Sequence, residues 1–297
     1  MAILVGTASW AEKTLIDCGR FYPPEAKTPE ARLRYYASIF PLVEVDSSFY
    51  AIPTPTVVHN WAARTPDDFV MNVKAFRLFT GHTTEAKVLG KAARELIGNR
   101  QRLMYKNAGQ ELQDFLWQQF YDTLAPLRAL GKLGLIHFQF PPSVIWAPKS
   151  IEHVEHCIER MRGDTVSIEF RHKSWWETTE RTASTLAWLR EIRAVHTVVD
   201  GPQGADNSVP AVWEVTHPDY ALLRLHGRNQ ETYNAPAETP AERFDYEYSE
   251  AELTTLAGNL VRVAENVQRT HAVFNNCNED KGQRNAIDFM GMTRASE

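Results

Sequence analysis

Eight short apolar runs recur along the chain, at 3–5, 42–45, 69–73, 133–140, 166–170, 194–199, 220–225 and 272–274. Several are nearly unbroken Val, Ile, Leu and Phe, without the polar alternation of a half-solvated strand. A strand of that kind is buried on both faces, as in a parallel sheet covered by helices. Helical signals separate most of the runs. Thr28-Pro29-Glu30 and Thr54-Pro55 each put a capping hydroxyl ahead of a proline at the first helical position. Residues 111–130 place Leu112, Phe115, Leu116, Phe120, Leu124 and Leu127 on one face, which predicts one continuous helix. Further helices are expected from Ser150, over 179–192, from the capping box Ser249-Glu250-Ala251-Glu252 to about Gln268, and over 283–290. Eight strands, most followed by a helix, close into a barrel more readily than they form an open sheet. The expected fold is therefore α/β, a TIM-like (β/α)8 barrel with room for irregularity, and residues 1–297 are expected to form a single domain. Barrels of about 250 residues fold as one unit.

Composition narrows the function classes. The net charge of −5 argues against a broad nucleic-acid footprint, which needs a basic face, but leaves room for a local basic pocket. Three cysteines, Cys18, Cys157 and Cys277, are too few and too scattered for a disulfide framework, and no CxxC is present. The opening MAILVGTASW is too short and too uncharged to be expected to act as a signal peptide, and no apolar run approaches the ~20 residues of a membrane span. A cytoplasmic protein with no membrane partner is expected. The phosphate-binding GxxxxGK[ST], the nucleophile elbow GxSxG and the zinc motif HExxH are all absent, so no nucleotide cofactor is indicated. His153 and His156, on an outer helix, are expected at the surface.

Barrel enzymes gather their sites where the strands end. Reading each run to its end gives Glu44 to Tyr50, Lys74, Gln139, Glu169 to Arg171, Asp200, Arg224 to His226, and Asn275 with Asn276. Alternation along a strand makes Glu44 and Asp46 share a side, as do Asn72 and Lys74, Glu169 and Arg171, and Arg224 and His226. Inward placement is cheaper for these charges, because partners there offset the cost of burial. Glu169, His226 and Asp46 are the candidate catalytic groups. Lys74, Arg171, Arg224, Gln139, Tyr50, Trp175, Asn275 and Asn276 are the candidate substrate contacts, with the arginines suited to a phosphate or carboxylate. Two long connections leave the same face, one from Ala75 to about Gln110 after the third strand. The other, from Gly227 to Tyr248 after the seventh, holds Asn229, Tyr233, Asn234, Arg243 and Tyr246. The bland alternative is that these charges only pair and pack.

Many strings along the chain also match one family in order. They are VGTASW (5–10), RFYPP (20–24), LRYYASIF (33–40), VEVDSSFY (43–50), WAARTP (61–66), FVMNVK (69–74), FQFPP (138–142), IEFRHKSWW (168–176), LRLHG (223–227), VFNN (273–276) and GQRNA (282–286). The chain resembles the DUF72, or YecE-like, proteins. The resemblance implies a TIM-barrel-like fold with a pocket at the strand ends formed by Glu44, Asp46, Ser48, Tyr50, Lys74, Gln139, Glu169, Arg171, Trp175, Arg224, His226, Asn275 and Asn276. It implies no reaction. The family's usual opening is GTSGW, so Ser9 stands where a glycine is usual; an Asn is frequent at the position of Asp46, and Phe76 replaces a common proline.

Three functions fit these residues. The first is an isomerase, lyase or hydrolase acting on a small phosphorylated or carboxylated compound. The second is a divalent-metal phosphoesterase, nuclease-like in its chemistry, whose aromatics would stack bases. The third is a non-catalytic ligand-binding module.

Overall fold

The computed structural model describes residues 2–204, 208–233 and 240–294. Asn234 lies outside them, as does the side chain of Tyr233. Eight parallel strands close into a barrel in sequence order: β1 (Ala2–Ala8), β2 (Leu42–Val45), β3 (Val70–Lys74), β4 (Leu133–Phe140), β5 (Val166–Phe170), β6 (Val195–Asp200), β7 (Tyr220–Leu225) and β8 (Arg269–Phe274). Each corresponds to one of the eight apolar runs. Strand β1 pairs with both β8 and β2, completing the ring. Gly6 permits that closure, since a Cβ there would lie 1.9 Å from the Leu42 carbonyl oxygen.

Local chemistry sets the helix starts. The Thr28 and Thr54 hydroxyls accept from the backbone N–H groups of Ala31 and Val57, and Ser249 with Glu252 forms a reciprocal capping box. Such caps each contribute about 1 kcal/mol. The expected helix over 111–130 is instead two, Gln110–Thr123 and Ala125–Ala129. Pro126 is the cause: it has no N–H to donate, and its ring clashes with the carbonyl four residues back. Strand β6 departs from the repeat more strongly, because no helix follows it among the described residues. An irregular segment takes the helix's place. The Thr216 hydroxyl accepts from His196 N and donates to Ala194 O, and the His196 ring reaches Val212 O at 3.0 Å.

Both long connections carry secondary structure of their own. The first carries a two-stranded ribbon, Thr84–Glu85 with Arg102–Leu103, and the helix Lys91–Ile97. The second carries the short helices Gln230–Tyr233 and Pro240–Arg243. His153 and His156 correct the expectation of surface residues. Both are half-buried and hold the first connection: His153 Nε2 meets Phe79 O at 2.8 Å, and His156 Nε2 meets the Tyr105 hydroxyl at 2.6 Å. No helix among the described residues is long and apolar enough to cross a membrane.

Inside the barrel, Leu42, Leu135, Val195, Leu222 and Val273 form an apolar floor. Charge begins above it. This division fixes where chemistry can occur, because the lower half of the lumen is closed by packing.

Candidate functional site

Strand register turns one set of side chains inward. Glu44 lies opposite Asn72, Lys74 opposite His137, and Gln139 opposite Glu169, so all face the lumen together. Arg224 stands at the centre with no exposed surface. Its Nε and Nη2 donate to the two carboxylate oxygens of Glu44, at 3.0 and 2.6 Å. Its Nη1 donates to Glu169 at 2.5 Å and to the Gln139 amide oxygen at 3.2 Å. Glu169 also accepts from Arg171 at 2.9 Å. Burial opposes ionisation of Glu169, but the charge of Arg224, with hydrogen bonds from the His137 and His226 rings, outweighs it and holds the carboxyl well below its ordinary range.

His226 completes this cluster. The Asn275 amide meets its Nδ1 at 2.8 Å, and its Nε2 faces Glu169 at 3.2 Å. With Asn275 donating to Nδ1, the ring proton sits on Nε2 and points at the carboxylate. Burial, with Arg171 and Arg224 adding to it against the pull of Glu169, lowers the imidazole to about 3, so the ring is neutral near pH 7. Gly227 follows in the left-handed region, at φ 81, and a Cβ there would lie 2.5 Å from that of Tyr246. Only glycine lets the chain leave β7 beside this cluster.

A second pair lies nearer the opening. Lys74 Nζ meets Asp46 Oδ1 at 2.7 Å, with side chains 8% and 24% exposed. Burial would raise the Asp46 carboxyl, but Lys74 overrides it and lowers it. Asp46 precedes the short helix Ser47–Tyr50, and the Ser48 hydroxyl ties that helix to β3 through Lys74 O at 2.6 Å. Phe49 packs under the Lys74 ammonium, and Tyr50 is 42% exposed at the rim.

Three of the residues picked out along the strand ends lie outside the lumen. Trp175 is fully buried between the sheet and its helices, stacked on Phe170 at 3.7 Å, with its indole N–H donating to Val144 O. It cannot touch a ligand at the mouth. Asn276 faces the other way from Asn275 and donates to Tyr246 O and Asn285 Oδ1, fixing the second long connection. Asp200 lies opposite Leu225, on the outward side, held by Arg228 and by the Tyr248 hydroxyl at 2.7 Å. Arg77 is the residue that sequence reasoning missed. It sits three positions beyond Lys74, where neither period nor motif marks it, yet its guanidinium lies 5.4 Å from the Phe49 ring centre.

Among the described residues, no group of three or more His, Cys, Asp and Glu side chains is arranged to hold a metal ion. The carboxylates best placed to try, Glu44 and Glu169, are already gripped by Arg224. A groove of about 760 Å³ opens near the N-terminal end of β5, lined in part by Arg162, Thr165 and His217, but it contains none of the lumen residues.

The family model described as "Protein of unknown function DUF72" matches residues 4–297. The chain belongs to the DUF72 family. A curated relative, the UPF0759 protein YunF of Bacillus subtilis (strain 168), is 27% identical over 277 residues, covering 92% of this chain and 88% of the relative. Among solved structures, a DUF72 family protein from Thermotoga maritima MSB8 has a TM-score of 0.76 at 28% identity, covering 99% of this chain and 100% of the other. One from Enterococcus faecalis V583 has a TM-score of 0.78 at 22% identity, covering 98% of this chain and 95% of the other. The DUF72 barrel is thus the fold of this protein, and the family name carries no activity.

Proposed function

We propose that this DUF72 protein is an enzyme that binds a small anionic compound, phosphorylated or carboxylated, at the C-terminal mouth of its barrel and moves a proton on it. The observation that carries this reading is the Lys74–Asp46 pair. It is the pair of the cluster in which both charges keep some access to solvent, directly above Glu44, Glu169 and Arg224, which are sealed. Lys74 and Arg171 would hold the anion, with Tyr50 at the rim and Gln139 and Asn275 orienting the ligand. Asp46 would take or return the proton.

The sealed groups have a different part. Glu169 and His226 have partners on every side, so their role in this reading is to fix Arg171 and the floor of the site rather than to meet substrate. Arg224 neutralises Glu44 and Glu169 from below. Isomerase, lyase and hydrolase reactions of a small anion can each use this combination of a held anion and a positioned carboxylate.

The test is a thermal-shift screen of the purified protein against phosphates, organic acids, sugars, oligonucleotides and divalent ions. A ligand at about a hundred times its Kd raises stability by about 2.7 kcal/mol. Stabilisation by a small anion, lost in Arg171→Ala and Lys74→Ala, is the expected result. Stabilisation by oligonucleotides or divalent ions alone would sink the reading in favour of the metal phosphoesterase. A ligand that binds Asp46→Asn as it binds wild type, with no turnover by either, would favour the non-catalytic module.

A further inference from the structure

We propose that Arg77, together with Lys74, forms a phosphoryl subsite over the ring of Phe49, and that the anion this barrel takes is a phosphate monoester. The proposal rests on the reading of the mouth as a small-anion site and narrows it to one ligand class.

Both cations stand on a stiff frame. Arg77 N donates to Phe49 O at 3.0 Å, and Ser48 Oγ lies 2.6 Å from Lys74 O, so the helix Ser47–Tyr50 and the end of β3 are tied at two points. Lys74 Nζ is 4.5 Å and the Arg77 guanidinium carbon 5.4 Å from the same ring centre. Charge accounting then singles out Arg77. Glu44, Glu169 and Asp46 are matched by Arg224, Arg171 and Lys74. Arg77 is a further cation, and among the described residues it has no ion-pair partner. Its Nε–H is buried with no acceptor, a costly condition for a guanidinium unless a ligand relieves it.

A neighbouring imidazole reports the local field. His82 packs against Phe49 at 5.0 Å and meets the Thr80 hydroxyl through Nδ1 at 2.8 Å. Burial, then Arg77, Lys74 and Arg171, lowers it to about 4. Three cations act on one neutral ring, in a protein whose net charge is −5. The fork of a guanidinium bonds two oxygens and an ammonium a third. A phosphoryl group presents three free oxygens and up to two negative charges; a carboxylate presents two oxygens and one charge, leaving part of this set unfilled.

The experiment titrates inorganic phosphate, glycerol phosphate and acetate into wild type, Arg77→Gln, Lys74→Ala and Arg171→Ala, by calorimetry and thermal shift at low salt. Phosphate and glycerol phosphate should bind wild type well above acetate, and Arg77→Gln, which keeps most of the stem over the ring, should weaken them about tenfold or more. Wild-type affinity in Arg77→Gln, with loss in Lys74→Ala and Arg171→Ala, would overturn the Arg77 subsite and leave the small-anion reading standing. Acetate binding as tightly as phosphate would overturn the phosphoryl assignment alone. Failure of all three anions to bind wild type would overturn both. If Arg77→Gln does not fold, Arg77→Lys keeps the charge without the fork; it should bind phosphate more weakly than wild type, and equal affinity would overturn the proposal.

Discussion

Arg224 and Glu44, 180 residues apart in sequence, meet through two hydrogen bonds at the centre of the barrel, both without exposed surface. Arg224 also neutralises Glu169 from the other side, so one guanidinium compensates two buried carboxylates. Removing it leaves Glu44 uncompensated, and Glu169 with Arg171 as its remaining cation, in a low-dielectric lumen. Arg224→Met should therefore cost about 3–5 kcal/mol, even though methionine fills much of the same volume. Urea unfolding measures this, and a loss under about 1 kcal/mol would show that the network is not a structural keystone.

The buried imidazoles set the acid limit of the fold. An unfolded histidine titrates near 6.5. Burial lowers His226 and His271 to about 3 and His196 to about 4. Below pH 6.5 the unfolded chain therefore binds protons that the folded chain refuses, and stability falls with pH. Each such histidine contributes a slope of about 1.4 kcal/mol per pH unit until its folded value is reached. Glu169 acts in the same direction at lower pH. Its folded carboxyl is held down, so its contribution is present above the ordinary glutamate range and is lost as pH falls through the folded value. Unfolding free energies at pH 7, 6 and 5 should drop steeply. A flat profile would mean that these rings are protonated in the folded state.

Strand ends were legible because both sheet faces are covered: apolar runs such as 272–274 stop where polar residues, here Asn275 and Asn276, begin. Alternation then assigned the lumen side of Glu169 and Arg171 or Arg224 and His226 from sequence alone. Its guidance reached one residue past a strand, to Arg171 and His226, and no further. Trp175 is five residues beyond Phe170, in a 3₁₀ turn, and its ring folds back onto the helix side. Asn275 and Asn276 are adjacent, so only one could face inward, and an ordered contact with Asn285 holds the other outside. Arg77 was invisible for the same reason, since a bend after β3 brings it beside Phe49. Trp175→Ala should accordingly lower stability by about 3–5 kcal/mol. Ligand affinity measured on the folded fraction should not change; a change would place the indole at the mouth after all.

Ser9 adopts φ 74, in the left-handed region that favours glycine. Its backbone N–H donates to Glu44 O at 2.9 Å, which fixes the turn, and its hydroxyl accepts from Ala11 N at 3.1 Å. The conformation costs a side-chain-bearing residue about 1 kcal/mol, partly offset by that exposed hydroxyl bond. Ser9→Gly removes the strain but loosens the unfolded chain. The net change should be a stabilisation of a few tenths to about 1 kcal/mol. Thermal unfolding of the two proteins side by side decides it, and a lower midpoint for Ser9→Gly would show that the hydroxyl bond outweighs the strain.

Asp46→Asn separates binding from chemistry at the mouth. The amide keeps the shape of the carboxylate, and an oxygen can still accept from Lys74, now 2.7 Å away as half of an ion pair. Losing the negative charge leaves the Lys74 ammonium less neutralised. A small anion should therefore bind Asp46→Asn as tightly as wild type or more tightly. Proton transfer should fall by about a hundredfold or more, because an amide cannot accept the proton that a carboxylate can. Stability should change little, since Asp46 keeps some contact with water. Binding by calorimetry and turnover on whichever anion the ligand screen identifies give the two readouts. Weaker binding with unchanged turnover would reverse the assignment, making Asp46 a ligand contact and sending the search for the proton-moving group back to Glu169 and His226.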